Sequence, residues 1–420
     1  MDVFVERCAG IDVGKREVVA CVRTPGPNGR GRRKQTRTFA SFTGALEEMA
    51  DWFAAEGVTE VAMEATGSYW KPVWYVLEER PFDQLLLVNA HQVKILPGRK
   101  SDVLDAEWLA ELLEHGLLRG GFVPPPAIRE LRDLTRYRKR LIQEHTAEAQ
   151  RIQKTLEDAG IKLDSVAAEV LGVSSRAMLT ALVAGERDPE VLADLARGTL
   201  RKKIPALRQA LRGRFRDHHA LLIGMCLQHI SYLEGAIGQL DERIDALFAT
   251  QVSEAGVPFA RARDRLDTIT GVGKRAAECI IAEIGMDMTR FPTAAHLACW
   301  AGLAPGINKT GGKPGSGRTR HGDVWLSSVL TQCAWAAAQT RQTYLAARFW
   351  RLAHRIGKKK AAIAVAHSIL VICWHLLTDD RDYDDLGGDY FTRRNPDRQR
   401  DRLIAQLQNL GYRVTLDQVA

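Results

Sequence analysis

The amino-acid sequence predicts an α/β domain followed by a mainly helical body, and three observations carry that reading. Residues 1–125 alternate short apolar runs with Gly- and Pro-bearing turns, the punctuation of strands and intervening helices. Arg129 to Ala159 then runs without Gly or Pro, with Leu131, Leu134, Tyr137, Leu141 and Ile152 recurring at helical spacing. Beyond residue 256, apolar helical segments are interrupted by one stretch dense in Gly and basic residues.

Taken in order, CAGIDVGKREVVACV supplies two apolar runs around Asp12 and Gly14, a first pair of strands. A turn rich in Gly, Pro and Arg (Pro25 to Lys34) leads to a third strand near Thr36 to Phe42, and an amphipathic helix follows around Leu46 to Ala55. The strand of EVAMEATGSYW carries Glu64; a helix from Lys71 to Glu79, the strand LLLVNA and a helix in SDVLDAEWLAELLEHG complete the region. Strands first in a run and then alternating with helices follow the order of an RNase H-like sheet. Pro124, Pro125 and Pro126 form a stiff break and a domain boundary. Residues 126–255 form a connector. Its second long stripe runs through Leu221, Ile230, Leu233, Ile237, Leu240, Ile244 and Leu247, and residues 160–205 make a smaller helical insert. The two long helices would pair as an antiparallel coiled coil, within one chain or between chains, or sit in an ordinary helical bundle. Residues 256–378 form a further domain. The tail, 379–420, begins acidic and turns basic, and reads as peripheral.

Four acids carry the chemistry. Asp12 and Glu64 sit in strands, and Asp102 and Asp105, spaced i and i+3, share one face of a helix. Acids at strand ends plus an acid pair on a helix are how RNase H-like folds hold two divalent cations. Such ions prefer hard oxygen ligands, and a pair of them activates the attacking oxygen and stabilises the leaving one in phosphoryl transfer. The bland readings stand beside this: Asp12 as a turn former, Glu64 as a surface acid, Asp102 as a helix cap and Asp105 as first-turn dipole compensation.

LDTITGVGKRAAECIIAEIG has the grammar of a helix-hairpin-helix, with Gly271, Val272 and Gly273 before Lys274 opens a helix. Glycines there let backbone N–H groups approach a phosphate; an ordinary tight turn is the alternative. In the loop that follows, Lys309, Lys313, Arg318, Arg320 and His321 stand against the single acid Asp323, a composition suited to a phosphate backbone or to a solvated loop. Net charge is +8 and the isoelectric point about 9.1, which favours a polyanionic partner such as nucleic acid. MDVFVERC has neither a basic nor an apolar leader region, and no stretch reads as a membrane span; Ala361 to Leu377 is broken by His367, Ser368 and His375 and reads as a buried helix. The seven cysteines form no CxxC pair, which argues for reduced thiols in a cytoplasmic protein and against zinc. His218 and His219 are adjacent, so on a helix they are expected to diverge rather than share a metal.

GIDVGK, MEATGSYW, NAHQVK…GRKSDVLDAEWLAELL, TGVGKRAAECIIAEIG and FPTAAHLACWAGLAPG…TGGK…SGRTRHGDVWL, in that order over residues 5–375, resemble the DEDD-type insertion-sequence transposases of the IS110 group, also described as bridge-RNA-guided recombinases. The resemblance implies a RuvC-like catalytic domain (1–125), a coiled-coil connector (126–255) and a C-terminal transposase domain (256–378) with a nucleophilic serine. By position, Asp12, Glu64, Asp102 and Asp105 match its Mg²⁺-binding acids, and DNA, a noncoding guide RNA and a second copy of the chain are its implied partners. At the serine this chain departs from the pattern: Thr310 occupies the place expected for the nucleophile, and a Thr methyl crowds the approach. Ser316 is the other candidate. Three other readings are weighed. A Holliday-junction-type nuclease would use the same acids. A sugar kinase or related actin-like ATPase also opens on Gly-Ile-Asp-x-Gly, but it needs further Gly-rich nucleotide segments that are not found here. A non-catalytic nucleic-acid-binding protein would keep the acids as structure only.

Overall fold

The computed structural model describes residues 2–26, 30–89, 102–304, 309–310, 313–314, 322–394 and 396–416. The chain forms two compact units, one ending at Val123 and one beginning at Pro124.

The first unit is built on β1 (Cys8–Val13), β2 (Glu17–Pro25), β3 (Arg32–Ala40), α1 (Thr43–Ala55), β4 (Glu60–Glu64), α2 (Trp70–Leu77), β5 (Gln84–Val88) and α3 (Asp102–Glu114). The strands form one mixed sheet in the order β3-β2-β1-β4-β5. β1 pairs antiparallel with β2 and parallel with β4, and β4 pairs parallel with β5. Alternation along β1 divides its side chains between two layers. Ala9, Ile11 and Val13 face the core made with Leu46, Met49 and Phe53 of α1 and Val73 and Leu77 of α2. Cys8 faces the opposite layer, where Leu109 and Leu113 of α3 pack on Ala62 and Val88. Gly10 shares the Cys8 side, and its missing side chain sets the spacing. A Cβ there would lie within 2.9 Å of Ala110 N, Ala106 O and Ala110 Cα, so α3 rests directly on the β1 backbone. Glu114, 1% exposed, ties the end of α3 to the sheet by accepting from Arg23 (2.7 Å) and from Arg32.

The second unit opens with α4 (Pro126–Asp158). Four short helices follow, α5 (Leu163–Val166), α6 (Val173–Val183), α7 (Pro189–Asp194) and α8 (Ile204–Ala210). They close a core of their own around Met178, Leu179, Leu192 and Leu207, the insert expected from the sequence. α9 (Asp217–Thr250) then returns along α4. Arg243 meets Glu130 (2.6 Å), Arg138 meets Asp241 (2.8 Å), His229 meets Glu148 (2.9 Å) and His219 meets Asp158 (2.9 Å). Partners descend one helix as they climb the other, so the pair is antiparallel and lies within one chain.

The remainder comprises α10 (Phe259–Asp267), α11 (Lys274–Ile284), α12 (Ala294–Trp300), the two-residue strands β6 (Lys309–Thr310) and β7 (Lys313–Pro314), α13 (Val324–Gln339), α14 (Tyr344–Ile356), α15 (Lys358–Asp379), α16 (Tyr390–Arg393) and α17 (Pro396–Asn409). α15 packs against α12, α13 and α14 and buries Val365, Ile369, Leu370 and Cys373.

Three sequence expectations need correction. First, α9 and α15 are both long and apolar enough to cross a membrane by length and composition, although no such stretch was expected. Their scattered His and Ser residues do not lower the average enough to exclude them; in the fold α15 buries its apolar side on neighbouring helices, whereas α9 leaves Leu221, Leu222 and Met225 exposed. Second, the acidic start of the tail is docked rather than peripheral. Buried Arg265 donates to Asp380 (2.6 Å), and Asp385 accepts from the backbone N–H of Tyr344 (2.9 Å) and of Gly387 (2.8 Å). Third, His218 and His219 do not diverge. Their ring centroids are 3.9 Å apart, because both lie in the first turn of α9, where the His219 ring folds back to accept from the Arg216 N–H.

Candidate active site

Asp12 is the penultimate residue of β1, opposite Val19 of β2. Glu64 ends β4, one position beyond the Ile11–Met63 pairing, so it stands beside Asp12 on the adjacent strand. Both share the sheet face of Gly10 and Ala62, the face α3 covers. Because Gly10 lets α3 touch β1, the first turn of that helix, with Asp102 and Asp105, is drawn to the same edge. The structure thus brings the four acids together. Asp12, Glu64 and Asp105 are half-buried and Asp102 is exposed. Burial pushes the Asp12 carboxyl up to about 6, and the charges of Asp102, Asp105 and Glu64 push it the same way. Among the described residues none of the four acids has an ion-pair partner.

That absence separates them from the other inward-facing acids. Glu114 has Arg23 and Arg32, Glu278 has Arg138, Glu283 has Arg132 and Arg136, and Glu148 has His229 and Arg151. A buried carboxylate is tolerated when a cation and hydrogen bonds compensate it. The four acids have no such cation among the described residues, and the donors they offer are all hard oxygens.

A tighter grouping of metal-capable side chains, Asp158, His218 and His219, lies in the second unit. Its donors fit a metal poorly. His219 Nδ1 already accepts from the Arg216 N–H (3.0 Å), which leaves the neutral ring's proton on Nε2, directed at Asp158 (2.9 Å). The positive end of the α9 dipole also opposes a cation there. This cluster caps a helix, and sequence spacing gave no sign of it because Asp158 is far away in the chain.

The predicted nucleic-acid residues fare unequally. Gly271 adopts φ +85°, and a Cβ there would come within 2.8 Å of Cys333 O, Ala337 N and Ala337 Cβ. Packing on α13 is therefore sufficient reason for this glycine. Gly273 caps α11, and a Cβ added there would meet no atom within 4 Å. Lys274 is ion-paired with Asp245 of α9 (2.6 Å). Of the basic loop, the backbone of Lys309 and Thr310 pairs with that of Lys313 and Pro314, with Thr310 opposite Lys313. Ser316, Arg318 and Arg320 lie outside the described residues.

Residues 9–161 match a family model described as a transposase, of the DEDD IS110 type. Residues 263–351 match the model described as "Transposase IS116/IS110/IS902 family". Over 353 residues the chain is 27% identical to a Sinorhizobium fredii protein bearing the transposase name y4pF/y4sB, covering 80% of this chain and 77% of that one. Over 308 residues it is 24% identical to the transposase for insertion sequence element IS1111A of Coxiella burnetii, covering 71% and 72%. A third similarity, 50% over 46 residues and 11% of each chain, is to an insertion element IS110 protein of Streptomyces coelicolor.

Proposed function

The chain belongs to the IS110-type transposases, and from that membership we propose that its first unit is a Mg²⁺-dependent centre for cutting and rejoining DNA strands. The observation that carries the proposal is the convergence of Asp12, Glu64, Asp102 and Asp105 without a compensating cation among the described residues. These acids would hold the ions; bound there, two divalent ions lower the barrier of an in-line displacement at phosphorus by stabilising charge on the attacking and leaving oxygens. Asp12 and Glu64 fix their positions through the sheet register, and Asp102 and Asp105 through the helix laid on Gly10. The β3-β2-β1-β4-β5 order supports an RNase H-like, RuvC-like reading of this unit. The α10–Gly271–Gly273–α11 segment supports a helix-hairpin-helix in the second unit, with Gly273 as its open backbone position.

The same reading gives the second unit a hydroxyl nucleophile, Thr310 or Ser316, flanked by the phosphate-binding groups Lys309, Lys313, Arg318 and Arg320. It also includes targeting by a guide RNA and assembly of more than one copy on DNA, both supported by family membership alone. The test is strand cleavage by full-length Asp105→Ala with Mg²⁺ present. Loss of cleavage with retained DNA binding is expected, and recombination at the wild-type rate would sink the assignment.

A further inference from the structure

The tail and α14 together enclose a cavity of about 1190 Å³, larger than the roughly 300–1,000 Å³ of a usual small-molecule site. Five arginines line it: Arg348, Arg351 and Arg355 from α14, and Arg394 and Arg402 from the tail. No acid lines it. On α14 the arginines follow i, i+3, i+7 spacing and form one stripe, while Leu345, Ala346 and Phe349 of the same helix are buried. The stripe spans about 10 Å of helix, more than one phosphate needs.

The pairing pattern around the cavity is selective. Two tail arginines outside it are neutralised: Arg393 by Asp389 (2.9 Å) and Arg400 by Asp397 (3.0 Å) and Asp401 (2.9 Å). The five inside it have no carboxylate partner among the described residues, and Arg348 Nε is buried without a hydrogen-bond partner. The tail is held here by specific contacts. Phe391 stacks on Tyr344 with centroids 5.5 Å apart, and Arg351 lies 4.7 Å over the Phe391 ring. Trp350, 51% exposed, sits at the cavity with its Nε1 anchored to Ala338 O (3.0 Å). Clustered unpaired guanidinium groups beside a fixed exposed aromatic make a surface for a polyanion that also has flat bases.

We propose that the cavity between α14 and the C-terminal tail binds a single-stranded stretch of nucleic acid, its phosphates on Arg351, Arg355 and Arg402 and a base against Trp350. This rests on the nucleic-acid-handling reading of the family but not on the acids of the first unit. It also gives the tail, which the sequence marked as peripheral, a binding task.

The experiment measures anisotropy of labelled 12-nucleotide oligo(dT), 12-nucleotide oligo(U) and a 12-base-pair duplex with the full-length protein in EDTA, so no cleavage enters, across a salt series. Three exposed arginines exchanged together (R351Q, R355Q, R402Q) should lower the slope of log affinity against log salt by about 2 for a single strand, since each phosphate contact contributes about 0.7. The matching lysine variant (R351K, R355K, R402K) should keep the slope. Trp350→Ala should weaken single-strand binding by roughly tenfold, the scale of one stacked base, and leave the duplex unchanged. An unchanged slope in the glutamine variant, or equal damage in the lysine variant, would overturn the proposal. So would a Trp350→Ala loss that is the same for duplex and strand. A slope loss confined to oligo(dT) or to oligo(U) supports the site and identifies which of the two strands it takes. Failure here leaves the Asp105 cleavage test untouched.

Discussion

Replacing Asp12 by Asn tests the electrostatics of the acid cluster without asking for activity. The Asp12 carboxyl is raised from 3.8 to about 6, so the folded state holds its proton more tightly than the unfolded chain does. Below pH 4 both states are protonated and the group contributes nothing. As pH rises through 4 to 6 the folded state must give up its proton against burial and three neighbouring charges, so stability falls and stays lowered above pH 6. A shift of about two units corresponds to about 3 kcal/mol; partial access of water to the carboxylate reduces the expected effect to about 1–2 kcal/mol. Without metal, Asp12→Asn should therefore be more stable than the wild type at pH 8, and the gap should close by pH 4. Mg²⁺ should reverse the ranking at pH 8, because it binds the folded wild type and loses a ligand in the variant. Thermal unfolding of both proteins at pH 4 and pH 8, with EDTA or with Mg²⁺, supplies the comparison. A destabilised Asp12→Asn protein at pH 8 in EDTA would show that the acids are not crowded in the folded state, and the argument for a cation site would fail with it.

Two further outcomes are expected. Gly10→Ala forces a methyl into the α3 backbone, so it should cost about 1–3 kcal/mol as an overpacked contact and abolish cleavage by shifting Asp102 and Asp105. Unaltered thermal stability would show that the close approach is not rigid. Thr310→Ala and Ser316→Ala distinguish the two hydroxyls: loss of a covalent protein–DNA adduct in only one variant identifies the nucleophile. Adduct formation by both would mean that neither residue attacks.

The fold was legible where periodicity is local. Strand alternation around Asp12 and Glu64, the Gly- and Pro-free run of α4 and the small helical insert all follow from spacing within a dozen or so residues. What spacing cannot report is which distant groups share a face. The sequence placed two acids on a helix, but their meeting with Asp12 depends on Gly10, whose role appears only when α3 lies across it. The docked tail was missed for a related reason. Asp380 and Asp385 look like a solvated acidic run until Arg265 and the Tyr344 N–H, contributed by other elements, are in place. Gly271 shows the opposite case: a glycine that reads as a phosphate contact is already required by Cys333 and Ala337.

Charge pairing therefore discriminates better here than charge itself. The chain carries 59 basic and 51 acidic side chains, and composition cannot say which of them are used up inside the fold. Glu278 and Glu283 resemble catalytic acids by burial, yet Arg138, Arg132 and Arg136 satisfy them and fasten α4 to α11. Removing one partner of such a pair costs about 3–5 kcal/mol, because the other charge stays buried, so those acids hold the fold together. At Asp12 the ordering is inverted: the neighbouring acid charges repel, and no cation among the described residues offsets them. Surface chemistry follows the same logic with the sign reversed. The tail arginines beside aspartate are closed circuits, whereas Arg394 and Arg402 of the tail join three arginines of α14 around one cavity. A fold holds uncompensated charge of one sign in a fixed place at a cost in stability, and the natural compensation is a ligand of the other sign: a divalent ion at the first unit's acids, a phosphate chain at the second unit's arginines.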